Sequence, residues 1–119
     1  YGAFWNIEGE HLRSLGIETE HFSVSELGHP PYSELILVSK SGFSKADSIK
    51  KALQESIQFC KAYPDEAFNL YANCHPDKSS ATLAWEKKAW LKTLPVLAEH
   101  QDPTQDVWYN LNNWLEKFQ

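Results

Sequence analysis

Methionine is absent from this 119-residue chain, and cysteine is nearly so, with Cys60 and Cys74 alone. Two thiols outside a C-x-x-C spacing cannot staple a small secreted scaffold, so a disulfide framework is excluded and a reducing compartment, the cytoplasm, is expected. The chain opens at Tyr1, and with no methionine anywhere its native start is expected upstream. Long apolar runs are missing too. The longest, Leu35 to Val38, falls far short of the roughly twenty residues that cross a bilayer, and no charged-then-apolar signal segment opens the chain, so no membrane partner is expected. Positive charge is in deficit, with 11 lysines and arginines against 16 aspartates and glutamates and a net charge of −5. A protein that grips phosphate backbones presents a basic face, so direct nucleic-acid binding is not expected. Lys40, Lys45, Lys50 and Lys51 do cluster, but Asp47 and Glu55 lie among them.

What is present reads as an ordinary folded domain. Hydrophobic residues make up 42% and charged residues 23%, and a chain of this size buries roughly two thirds of its unfolded surface. Phe4, Ile7, Leu12 and Leu15 recur at loosely helical spacing, with Gly16 where a helix-ending glycine belongs. Phe22 and Val24 alternate with polar neighbours before the turn Gly28-His29-Pro30-Pro31, which suggests an edge strand or extended arm. The run Leu35-Ile36-Leu37-Val38 has the pattern of a strand buried on both faces. After it, Ser44 and Asp47 can cap a helix whose stripe is Ile49, Ala52, Leu53, Ser56, Ile57 and Cys60, ending near Tyr63-Pro64. Phe68, Leu70, Ala72 and Cys74 alternate with polar residues as a second strand, and Ala81 to Trp85 reads as a third. Leu91, Leu94, Leu97 and Ala98 mark a short helix around Pro95. Asp102-Pro103 starts a last helix with the stripe Val107, Trp108, Leu111, Trp114, Leu115 and Phe118. The expected fold class is therefore α/β: a small, mostly parallel sheet of three or four strands flanked by helices. An N-terminal partner-binding arm over residues 1–28 precedes the α/β domain at 29–119.

Chemistry is hard to find in the pattern. Cys74 and His75 are adjacent and would diverge on a strand, and the other histidines are scattered, so no metal site is expected. Cys74 reads as a core thiol. The pairs Glu8 and Glu10, Glu18 and Glu20, and Asp65 and Glu66 sit in polar segments and read as solvated surface charges. The turn Ser39 to Lys45 precedes a helix, where α/β proteins bind phosphate. It has one glycine instead of two, however, and Phe43 would intrude on a cradle. No catalytic residue, no metal and no cofactor are assigned, and the chain is expected not to be an enzyme.

Aromatic residues are the positive feature: five tryptophans, five tyrosines and six phenylalanines. They bury large area at low conformational cost, which suits protein contacts. Leu12-Arg13-Ser14-Leu15-Gly16-Ile17, followed by Glu20-His21-Phe22-Ser23-Val24, resembles the N-terminal L-x-x-L-G-I segment of the psi-subunit family of bacterial DNA polymerase III. Leu94-Pro95-Val96-Leu97, Pro103 and Trp108 resemble its C-terminal pattern. That resemblance implies a non-catalytic accessory subunit of the replicative clamp loader. It would bridge the collar of the tau/gamma-type clamp-loader ATPase subunits to the chi subunit, and through chi to single-strand-binding protein. The collar-binding residues would be Leu12, Leu15, Gly16, Ile17 and Phe22, with Trp5 added from the aromatic argument. Where this family carries a tryptophan after L-G-I, this chain has His21 and Phe22. A second expectation is a cytoplasmic immunity protein that neutralises a basic toxin by charge complementarity. The alternative set against the non-enzyme expectation is an enzyme that uses the Ser39 to Lys45 turn to hold a phosphate or nucleotide.

Overall fold

The computed structural model describes residues 3–30, 32, 35–98 and 105–118. It consists of α1 (Glu8–Ser14), α2 (Ala46–Ala62), α3 (Pro64–Cys74), α4 (Ser80–Thr93) and α5 (Gln105–Leu115), with short 3-10 turns at Leu94–Val96 and Glu116–Phe118. The chain divides into two compact units. One is formed by Tyr1–His21 with Ala52–Glu99, the other by Phe22–Lys51 with His100–Gln119.

In the first unit each helix boundary has a local cause. The Phe4 carbonyl accepts from Ile7 N–H at 2.9 Å and Glu8 N–H at 2.8 Å, which satisfies backbone donors that the start of α1 leaves over, and Phe4 N–H donates to Glu8 Oε2 at 2.9 Å. α1 stops at Gly16, whose φ of 74° is costly for any residue with a Cβ. Gly16 N–H bonds to Arg13 O at 3.1 Å and Ile17 N–H to Leu12 O at 3.1 Å, the paired bonds of a Schellman ending. α3 begins with Pro64, where a missing N–H costs nothing, and Asp65 and Glu66 face the positive end of the helix dipole. α4 is capped by Ser79, whose hydroxyl accepts from Thr82 N–H at 3.1 Å.

α4 is the central element and packs against both α1 and α3. Phe68 of α3, Ala89 of α4 and Leu94 form the small buried core. The α3–α4 pair is tied by polar links as well. Trp90 Nε1 donates to Pro64 O at 2.9 Å, and Lys87 pairs with Asp65 at 2.7 Å. Lys78 donates to Tyr71 and bonds Glu86, while the Tyr71 hydroxyl donates to Glu86 at 3.1 Å.

In the second unit a turn over Val24–Gly28 closes with His29 N–H on Val24 O at 3.1 Å. The His29 ring lies 4.8 Å from that of Tyr32 and 4.2 Å from that of Trp114. Val107, Leu111 and Trp114 form the partly buried stripe of α5, while Trp108 and Leu115 face outward. The expected Asp102-Pro103 start lies outside the described residues, as does Pro31 of the expected turn.

The expected α/β fold is corrected: among the described residues there is no strand and no sheet. Leu35 to Val38 forms no strand, and no backbone–backbone hydrogen bond joins it to the other described residues. A sheet needs at least one partner ladder, and none of the described segments supplies it. The alternation from Phe68 to Cys74 gave way to α3, because Pro64, Ala67, Phe68 and Ala72 recur at helical spacing and turn inward while Leu70 is exposed. Ala81 to Trp85 joins α4, whose stripe of Thr82, Leu83, Trp85, Glu86, Ala89, Trp90 and Thr93 runs with period 3.6. The helix expected near Pro95 is the end of α4 and its 3-10 extension.

Candidate functional site

Charge and aromatic rings converge where α1 meets α4. Glu10 has only 4% of its surface exposed, yet it is a carboxylate. Burial alone would drive it toward its neutral form, so it needs cations. Lys92 of α4 and Arg13 of α1 both bond Glu10 Oε1. The Lys92 bond is the main reason the Glu10 carboxyl sits below the usual glutamate range, overcoming the opposing effect of burial. Its reading as a solvated surface charge is thereby corrected.

Lys92 does a second thing. Its ammonium lies 4.4 Å from the centre of the Trp5 ring, an attractive cation–π placement. Trp5 in turn stacks on His21 with ring centres 4.9 Å apart and planes 4° from parallel. Asn6 donates to the Thr93 hydroxyl at 2.8 Å, and His11 stacks on Trp85 at 4.5 Å. The result is an aromatic platform held against α4 by an ion network. Beside it, Arg13, Gly16, Ile17, Glu18, Thr19 and Glu20 line a cavity of about 730 Å³. All six are exposed, so this is an open surface hollow. Its lining offers a guanidinium for an anion, two carboxylates for amino groups and a hydroxyl.

The residues expected to bind a partner fall as follows. Trp5 lies in the platform, and Gly16 and Ile17 line the cavity. Leu12 on α1 and Leu15, the residue that caps its C-terminus, are exposed. Phe22 is exposed in the second unit. Sequence reasoning missed Glu10, Arg13, His21 and Lys92. The Glu10–Arg13 spacing of three was a usable signal on a helix. Lys92, 82 residues from Glu10, left none.

Elsewhere, α2 and α3 leave a groove of about 460 Å³ lined by Ala52, Glu55, Ser56, Phe59, Cys60, Ala67 and Leu70. Cys74, expected in the core, is exposed, because it ends α3 on the outer side. In the Ser39 to Lys45 turn, Gly42 has φ 76° and Phe43 N–H bonds Lys40 O at 3.1 Å. Among the described residues no three histidine, cysteine or acidic side chains converge, and no helix is long and apolar enough to cross a membrane.

Residues 1–67 match the family described as NMT1/THI5 like. The chain is 32% identical over 103 residues to a Haemophilus influenzae protein described as "Putative thiamine biosynthesis protein"; the match covers 82% of this chain and 31% of that protein. The chain thus spans under a third of the length of this relative. No solved structure matches it.

These findings overturn the resemblance to the DNA polymerase III psi-subunit family. With it go the clamp-loader role, the replication assignment, and the tau/gamma-type ATPase and chi partners. The physical reason lies in the motif itself. Leu12, Gly16 and Ile17 are the positions a Schellman ending uses in any amphipathic helix, so the motif does not by itself specify that family. The immunity-protein reading falls on the same findings, since an acidic surplus specifies no ligand.

Proposed function

The chain belongs to the NMT1/THI5-like family, and on that premise we propose that it serves thiamine biosynthesis as part of a protein that binds a thiamine-related compound without transforming it. The observation that carries this reading is the 32% identity over 103 residues to the Haemophilus influenzae relative. Thiamine joins an aminopyrimidine to a thiazolium ring, so its precursors are flat, nitrogen-rich and often phosphorylated. A flat ring added beside His21 would extend the Trp5–His21 stack. Glu18 and Glu20 suit an exocyclic amine, and Arg13 suits a phosphate.

The role as a binder and not a catalyst is supported by the same side chains, which are arranged to hold charge and a ring. The test is genetic. Deleting the gene from its native host should slow growth in medium without thiamine, and added thiamine should restore it. Equal growth of deletion and parent without thiamine would contradict the reading.

A further inference from the structure

We propose that Leu35 to Val38 is covered in the natural protein by a segment of its own polypeptide lying outside residues 1–119. Leu35, Ile36, Leu37 and Val38 are 86%, 51%, 67% and 76% exposed, and Phe22, Val24 and Leu27 are also open to solvent. Scattered exposed leucines are ordinary, but four consecutive aliphatic residues all more than half open to solvent are not. Such a strip is either a contact surface or an aggregation liability.

The occupant follows from length. The Haemophilus influenzae relative extends far beyond the matched region, which is 31% of it. A covalently joined segment reaches the strip at high effective concentration, because loop-closure entropy grows slowly with length. A second copy of the chain would have to be recruited from dilute solution. The inference rests on exposure and relative length, not on the thiamine role, and stands or falls separately from it.

The test uses the natural protein purified from its host. Its intact mass is measured first, followed by hydrogen exchange of the 35–38 amides under monomeric conditions. The expected result is a mass well above 13.7 kDa and exchange at 35–38 slowed by orders of magnitude relative to an unstructured peptide. A natural chain of 13.7 kDa would overturn the proposal. So would exchange at the unstructured rate. Protection that vanishes on dilution would assign the strip to a second copy and overturn it equally.

Discussion

Glu10 shows how a single residue joins two elements. Its carboxylate is nearly sealed from water and is kept ionised by Lys92 and Arg13, so neutralising it strands two cations. Both cations are partly solvated, which lowers the cost below that of a fully buried pair. Glu10→Gln should therefore destabilise the chain by about 1 kcal/mol at pH 7, read by urea denaturation. The native carboxyl titrates below the ordinary glutamate value of about 4.3. Its contribution is thus complete above that value and is lost as pH falls through the lower native one. The gap between parent and Glu10→Gln should accordingly close on acidification; a gap that persists or widens in acid would refute the ion network. Half of this network was legible in the sequence, as Glu10 and Arg13 one helical turn apart. The other half was not, because nothing local to Lys92 says which helix it will face.

At the scale of elements, helix ends were more legible than helix identities. Gly16 announced the end of α1, and its positive φ makes Gly16→Ala a direct check. The added Cβ meets open space, so any loss is conformational, and about 1 kcal/mol is expected in thermal unfolding. Ser79→Ala should cost a similar amount, about 1 kcal/mol, by removing the cap of α4. α3 was misread because Phe68, Leu70, Ala72 and Cys74 satisfy a period of two, while Pro64, Ala67, Phe68 and Ala72 satisfy the helical period in the same stretch. Short segments allow both, and packing against α4 decided the outcome. Leu35 to Val38 is the opposite case: a strand pattern was legible, but none of the described segments pairs with it.

For the molecule as a whole, the family emerged from similarity along most of the chain, whereas the short motif at Leu12 to Ile17 misled because it encodes only a helix end. The aromatic surplus was legible in the composition and was read as a surface for protein partners, and the partners named for it were wrong. His21 stacks on Trp5 and Lys92 lies over the Trp5 ring, so the proposed planar ligand would extend that stack. The most direct measurement is a titration of the natural protein with thiamine and with its aminopyrimidine, followed by tryptophan fluorescence. Saturable binding of at least one compound is expected, weakened about tenfold or more in Trp5→Ala with the circular dichroism unchanged, since ring stacking is worth about 1–3 kcal/mol. No response to either compound, or equal affinity in Trp5→Ala, would contradict the assignment of that platform as the ligand site.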